Sequence, residues 1–434
     1  MWVRIRPAPT AQLGLAAARK PEWVYAVWPS HRSCACEDRQ GGKSVRRFIG
    51  LDVHRDYGYA YVLEMGQPEG RRRRLLNTAD EWAGFVNELG PEDAVAIEVS
   101  GGTFRLYDTL ADRAGQVVAV DPRVMRRLGS RKRKTDHDDA KLLAERLALG
   151  TLPGVWVPPK PIRELRALVN LRRRLVEQRA RWKNQIRSLL QRYGYRAPHS
   201  LWQARRHVKV LWELDLSPGD RVALAVALEQ LRSTNTHLRA LEREIGHRVK
   251  DCLAVRLLLS LGGFNVVAAA TYYAYIGDPF RFPTDKHVAS YTGLVPRVYQ
   301  SGTTDRRGSI TKEGPAVLRW ALVEAASSVA RHGPPALRAF YQRLRAKKGH
   351  QVAVVALAAK LARIAWSMWR TGQLFGGVRP ELHAAKLALL DRHAAPYPTA
   401  HVLSWLVERI DQILDKSPYA IKRAVKASQL GVAA

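Results

Sequence analysis

Four acids occupy positions where an acid needs a reason. Asp52 lies inside the apolar run Phe48-Ile49-Gly50-Leu51-Asp52-Val53, and Glu98 inside Ala94-Val95-Ala96-Ile97-Glu98-Val99. A carboxylate in an otherwise buried strand is costly unless it stands at the strand end or binds something. Asp136 and Asp139 open the helical run Asp139-Ala140-Lys141-Leu142-Leu143-Ala144, and their spacing of three puts both on one face of one turn. Together the four could supply the hard oxygen ligands that Mg²⁺ or Mn²⁺ prefers. A pair of such ions clamps the attacking and leaving oxygens of a phosphodiester in line. Plainer readings stand beside this one. Asp136 and Asp139 also suit a helix cap and first turn, and Asp52 a strand end leading into His54-Arg55-Asp56. Glu98 is the hardest to explain plainly. Asp138 competes with Asp139, but its offset of two from Asp136 points it elsewhere.

A serine and several groups of cations complete the chemistry-bearing residues. Gly293-Leu294-Val295-Pro296 runs through Ser301-Gly302 to Gly314, with Arg306, Arg307, Lys312 and Arg319 nearby. Glycines and cations together make a loop suited to holding phosphate. Ser301 is either a nucleophile there or a turn residue, and no Ser-His-Asp spacing supports a hydrolase. Directly before Asp136 come Arg123, Arg126, Arg127, Arg131, Lys132, Arg133 and Lys134, a group suited to backbone phosphates. Residues 160–209 hold fifteen Lys/Arg, among them Arg172 and Arg173, against only Glu164 and Glu177.

These residues need elements to hold them. Phe48–Val53 and Tyr59–Leu63 read as a strand pair, and Arg71–Leu76 as a third strand. A helix from about Asp80 carries Trp82, Phe85, Val86 and Leu89 on one face. The strand ending at Glu98, a helix over Phe104–Ala114 and the strand Val117–Val120 follow. Three antiparallel strands and then βα units is the element order of the RNase H-like fold. Apolar stripes, Leu165 to Leu189 and Leu224 to Ile245, predict two long helices, packed either as a hairpin or as an interchain coiled coil. Short apolar segments between glycines follow from Leu257, then a long helix over Val352–Trp369. Beyond Gly377 the one clear helical stretch is Val402–Leu414. The expected class is multidomain α/β plus α. Its divisions are an extension over 1–44, a mixed-sheet domain over 45–150, a basic helical segment over 151–250, a mainly helical domain over 251–372, and a tail over 373–434.

The whole chain agrees in charge. Of 434 residues 71 are Lys or Arg and 39 Asp or Glu, a formal charge of +32, so the expected partner is a polyanion, nucleic acid ahead of a membrane surface. At 46% hydrophobic residues, wholesale disorder is excluded. No unbroken apolar run long enough to span a bilayer stands out, and Met1–Arg6 does not begin a secretory signal. Cys34, Cys36 and Cys252 make neither a disulfide framework nor a four-ligand zinc site, which fits a reducing cytoplasm. The Pro-rich start, without sustained period, also fits translation from a later codon near Val45.

Several of these motifs together resemble one family. Gly293-Leu294-Val295-Pro296, Ser301-Gly302 and Arg306-Arg307-Gly308 through Leu318-Arg319 resemble the C-terminal domain of the IS one-ten family of insertion-sequence transposases. Ile49-Gly50-Leu51-Asp52-Val53-His54, Ile97-Glu98-Val99-Ser100-Gly101-Gly102 and Lys134-Thr135-Asp136-His137-Asp138-Asp139-Ala140 resemble its RuvC-like DEDD domain. The likeness runs from about Val45 to Gly372 and includes a helix-hairpin-helix-like segment over Leu257–Pro283. Asn265 replaces a glycine usual there, which predicts a looser turn at Gly263. The resemblance implies a Mg²⁺- or Mn²⁺-binding tetrad of Asp52, Glu98, Asp136 and Asp139, and Ser301 as a nucleophile forming a transient phosphoserine link. It also implies double-stranded DNA as substrate, a bridge RNA as guide, a dimer or tetramer, and action on the cytoplasmic nucleoid without a membrane. Read without the family, the residues also fit a RuvC-like nuclease or junction resolvase with a structural Ser301, or a non-catalytic nucleic-acid binder.

Overall fold

In the computed structural model, alternation along two neighbouring strands sets the core of the first unit. β1 (Arg47–Val53) and β4 (Asp93–Glu98) each turn every second side chain to one face. Ile49, Leu51, Val95 and Ile97 pack on that face against Trp82, Phe85, Val86 and Leu89 of the α1 region (α1, Ala79–Asn87) and Leu110 of α2 (Thr103–Ala111). The opposite face carries Ala94 and Ala96. These pack with Val118 and Val120 of β5 (Gln116–Val120), Met125 of α3 (Pro122–Leu128), and Leu143 and Leu147 of α4 (Asp136–Ala148). With β2 (Tyr57–Glu64) and β3 (Arg71–Leu76) the sheet order is β3-β2-β1-β4-β5. β3, β2 and β1 run antiparallel, whereas β1, β4 and β5 run parallel. Helices fill the parallel crossovers, giving the RNase H-like architecture that the element order predicts. The structure describes residues 45–99, 103–128, 136–196, 198, 201–202, 211, 214–301 and 304–393. The extension over 1–44, the cations Arg131 to Lys134, and the helix expected over Val402–Leu414 lie outside them.

At the start of the central strands, a part-buried ion pair fixes the register. Arg47 donates from Nε and Nη2 to the two oxygens of Asp93, each at 2.6 Å, and the Gly90 N–H donates to Asp93 at 2.7 Å. Asp93 is 2% exposed. Its carboxylate keeps the Arg47 guanidinium above its usual pKa.

Residues 160–393 form the second unit, the chain dividing after Pro159. α5 (Lys160–Arg192) and α6 (Pro218–Val249) pair as a hairpin within the chain. Ile186, Leu189 and Leu190 meet Leu224, Ala227 and Leu231 at one end. Ion pairs Arg172–Glu242 and Arg248–Glu164 join the two helices farther along. One apolar helix packs against the hairpin, the helix that follows the serine-bearing strands and a later helix of this unit. That helix is α8 (Val266–Ile276), buried nearly all round, and it packs against α5, α6, α7 (Leu253–Leu258), α10 (Ala316–His332) and α12 (Pro380–His393). α12 is absent from the sequence reading of the tail. It is held by Leu390 and by Lys386, whose Nζ donates to the Leu259 and Leu261 carbonyls at 2.9 and 3.1 Å. Burial pulls the Lys386 pKa down to about 8.

Two further expectations are corrected. Gly263 is held tightly, not loosely: its φ is +80°, and a Cβ there would collide with the Ala325 carbonyl oxygen. Asn265 caps α8 instead, accepting from the Ala268 N–H at 2.8 Å. The stretch read as a glycine-rich loop is a β-hairpin, β6 (Pro296–Ser301) against β7 (Thr304–Ile310). Val298 and Tyr299 are good strand formers. α11 (Pro335–Thr371) is long and apolar enough by length and composition to cross a membrane, but Leu357, Leu361, Ala365 and Trp366 are buried inside this unit.

Asp93→Ala is expected to destabilise the sheet unit by about 3 kcal/mol, because it strands the Arg47 guanidinium and the Gly90 N–H. Chemical denaturation followed by tryptophan fluorescence, which includes the buried Trp82, reads this; an unchanged midpoint would remove the ion pair from the account.

Candidate active site

Gly50 determines where the acids go. On β1, Phe48, Gly50 and Asp52 face away from the core formed by Ile49 and Leu51. α4 crosses that face so closely that a Cβ on Gly50 would collide with the Ala140 carbonyl oxygen. It would also lie 2.7 Å from the Ala144 N and 2.9 Å from Leu143 Cβ. Only glycine lets the helix backbone come down onto the strand. Asp139 immediately precedes Ala140 on the helix, and Asp52 is two residues beyond Gly50 on the strand.

Register adds the third acid. β1 and β4 pair in parallel with Leu51 opposite Ile97, so Asp52 and Glu98 follow at the next step on the same face. Both stand at the C-terminal ends of their strands, where polar partners can reach a carboxylate. Asp52 and Asp139 are each 7% exposed, and Glu98 is half-buried. Tyr59 lies opposite Asp52 across β1 and β2 and packs with Ala140 and Ala144. His54 Nε2 is 3.2 Å from Asp52 Oδ2. Asp138 is exposed, as its offset requires. Asp136 begins α4 one turn before Asp139; its side chain lies outside the described residues.

Asp52 and Glu98 therefore share one edge and one face of the sheet, and α4, which carries Asp139, packs over Gly50 on that face. Among the described residues no three His, Cys, Asp or Glu side chains close around a single point as a metal cage. The donor set is nevertheless all-oxygen and partly buried, the chemistry that suits Mg²⁺ or Mn²⁺ rather than a softer ion.

Ser301 belongs to the other unit. It is the last residue of β6, paired with Thr304 across the turn. The base of that hairpin is held by main-chain bonds from Thr311 N to Val295 O, 2.9 Å, and from Lys312 N to Gly293 O, 3.1 Å. Arg319 ties the same base, donating from Nη1 to the carbonyls of Thr292 (3.3 Å) and Gly314 (3.1 Å). Burial lowers its pKa. Lys312 is exposed with φ +58°. The side chains of Ser301, Arg306 and Arg307, and of Arg126 and Arg127 on α3, lie outside the described residues.

The basic helix uses some of its charge internally. Arg172 donates to Glu242 at 2.7 and 2.9 Å in the α5–α6 seam, and Arg173 pairs with Glu177 one turn on. Elsewhere on α5 the cations crowd: burial, then Arg179 and Arg187, lower the Lys183 pKa. Sequence reasoning missed Gly50, His54 and Tyr59 as parts of the site. A glycine inside a strand was the available signal, since it marks close backbone approach.

Gly50→Ala is expected to lift α4 from β1, costing about 1–3 kcal/mol of stability by overpacking. Metal-dependent strand cleavage should fall at least tenfold at a temperature where the variant stays folded. Full cleavage by a folded variant would show that Asp139 does not depend on this contact.

Comparison with known proteins gives the family. Residues 49–195 match the family model of the DEDD transposase of the IS110 type, described as "Transposase". Residues 255–342, which include Ser301, match the model described as "Transposase IS116/IS110/IS902 family". Relatives match along most of their length. A probable family 20 transposase of Pseudomonas aeruginosa is 26% identical over 330 residues, covering 74% of this chain and 96% of that protein. The transposase for insertion sequence element IS1111A of Coxiella burnetii is 26% identical over 352 residues, covering 79% and 94%. An uncharacterised 43.6 kDa protein of insertion element IS110 in Streptomyces coelicolor is 25% identical over 390 residues, covering 77% and 96%. The DEDD match spans the strand-end acids and the second match spans the serine hairpin, in one order along one chain: the protein belongs to the IS116/IS110/IS902 family of transposases, enzymes that cut DNA and transfer its strands.

Proposed function

We propose that the chain recombines the DNA of an insertion sequence using the carboxylates Asp52, Glu98, Asp136 and Asp139 and the hydroxyl of Ser301. The observation that carries this reading is the strand register that sets Asp52 beside Glu98, with α4, the helix of Asp136 and Asp139, packed over the neighbouring Gly50. A divalent ion held there, Mg²⁺ or Mn²⁺, would supply Lewis-acid stabilisation of charge on the phosphate oxygens. The DEDD domain itself implies dependence on a divalent metal. In the protein's part of the reaction, Ser301 Oγ attacks the phosphorus and loses its proton to a nearby base. As the Oγ–P bond forms, one P–O bond of the DNA backbone breaks and the released strand keeps a hydroxyl. That hydroxyl, or one from another strand, later attacks the phosphoserine and restores Ser301. The covalent link preserves the phosphodiester's energy, so rejoining needs no ATP.

The cations fit a substrate gripped by its backbone. Arg126, Arg127, Arg131, Lys132, Arg133 and Lys134 precede Asp136 and Asp139 along the chain, and Arg306, Arg307 and Lys312 follow the serine. Phosphate contacts position nucleic acid but do not read its sequence. A guide RNA pairing with element and target would supply that reading, as in other RNA-guided systems. A dimer or tetramer would join the sheet unit of one copy to the serine hairpin of another, acting in the cytoplasm at the nucleoid.

Ser301→Ala should abolish covalent protein–DNA adducts and recombination between two plasmids. Asp52→Asn should abolish Mg²⁺-dependent cleavage and leave salt-sensitive DNA binding intact. Recombination by the Ser301→Ala protein would restore the reading as a RuvC-like nuclease with a structural serine. Unaltered recombination by nuclease-stripped protein would refute RNA guidance.

A further inference from the structure

The longest helix of the second unit is broken by one glycine. Inside α11, Gly349 has φ +80° and ψ 171°, a conformation essentially reserved for glycine, while its neighbours are helical. A Cβ there would meet nothing within 4 Å, so conformation and not crowding demands the glycine. Helix direction reverses at this point. Lys360 Nζ lies 4.4 Å from the centre of the Phe340 ring, and the Tyr341 hydroxyl lies 2.7 Å from His350 Nδ1, across the break. The two halves thus lie side by side, with residues 347–351 as an exposed tip.

The tip is basic within an unusual stretch. Between Glu324 and Glu381 the sequence has ten Lys or Arg and no Asp or Glu. Four of these cations have work inside the fold. Arg363 pairs with Asp285, Arg370 bonds the Phe282 carbonyl, Arg379 bonds the His332 carbonyl, and Lys360 covers Phe340. Arg343, Arg345, Lys347 and Lys348 are different. All four are exposed, and among the described residues none makes an ion pair or hydrogen bond. Attraction to the carbonyl end of the first half-helix accounts for cations in its last turn. It does not account for Arg343, more than a turn earlier, or for the missing acids. The second half-helix begins at the same tip, adding backbone N–H donors that favour an anion. The second family-model match ends at residue 342, so these cations lie beyond it.

We propose that the Gly349 bend is a docking site for the phosphate backbone of duplex DNA, formed by Arg343, Arg345, Lys347 and Lys348 and separate from the carboxylates and Ser301. It rests on the reading of the chain as a DNA-acting enzyme. The proposed contacts are to phosphate, made by charges on flexible stems, and such contacts position a duplex without reading its sequence. Gly349 sets the geometry by bringing the end of one half-helix and the start of the next to one point.

The test uses the full-length protein, a short mixed-sequence DNA duplex and a salt titration without divalent metal. Each phosphate contact contributes about 0.9 to the slope of log K against log salt. The variant R343Q/R345Q/K347Q/K348Q should therefore flatten the slope by about 3.6 and weaken binding equally across sequences. The charge-retaining variant R343K/R345K/K347R/K348R should keep the wild-type slope. In the wild-type protein, bound duplex should protect Lys347 and Lys348 from an amine-acylating reagent, which requires no variant to fold. An unchanged slope, absent protection, or an effect confined to a single-stranded RNA probe would overturn the proposal. Metal-dependent cleavage by the wild type is scored separately. Its absence alongside a flattened slope would sink the enzymatic reading and leave the docking site standing.

Discussion

The close approach of α4 to Gly50 is the contact on which the site depends. Without it a helix on this sheet would ride one side chain higher, and Asp139 would stand clear of the strand that carries Asp52. The small residues Ala94 and Ala96 on β4 continue the same low platform, with Leu143 and Leu147 resting on it. The cost is a strand with a glycine at its centre, weak in itself. The apolar face opposite compensates, where Ile49, Leu51, Val95 and Ile97 are 0–1% exposed. The Arg47–Asp93 pair fixes the register at the far end of those strands, so a slip that would turn Asp52 and Glu98 into the core is opposed at both ends.

Charge is divided by the fold into two kinds. One kind holds the protein together: Arg47 on Asp93, Arg172 on Glu242, Arg319 on two carbonyls, Arg363 on Asp285. These are anchored guanidiniums, and removing them would cost packing as well as charge. The other kind has no partner among the described residues, as at the Gly349 bend, and its charge is available to a polyanion. Composition alone cannot make this division, because Arg172 and Arg343 contribute identically to a sum.

Much of the sheet unit was legible before the structure. Alternation found β1, β2, β4 and β5, and the basic run Arg71–Leu76 is β3 residue for residue. Helical stripes found α5 and α6 but could not choose between a partner in the same chain and one in another, since an apolar stripe records only that something covers it. The serine-bearing stretch was misread because its glycines suggested a loop, while Val298 and Tyr299 carried the weaker strand signal. α12 was missed because prolines and glycines around it suggested a tail, although its burial comes from α6 and α8, far off in sequence. The acids at strand ends were visible as anomalies of type and place. The packing of α4 against β1 was not, because it is decided by the crossing of α4 over Gly50, a contact between residues some ninety positions apart.

The role proposed for Asp52, Glu98 and Asp139 is to hold a divalent metal. It is tested most directly by locating Mn²⁺ bound to the full-length protein, through anomalous scattering from crystals soaked in the ion. The account predicts a Mn²⁺ peak at the C-terminal ends of β1 and β4 with oxygen ligands from Asp52, Glu98 and Asp139, lost in Asp52→Asn. A peak elsewhere, or one that survives that substitution, would contradict it.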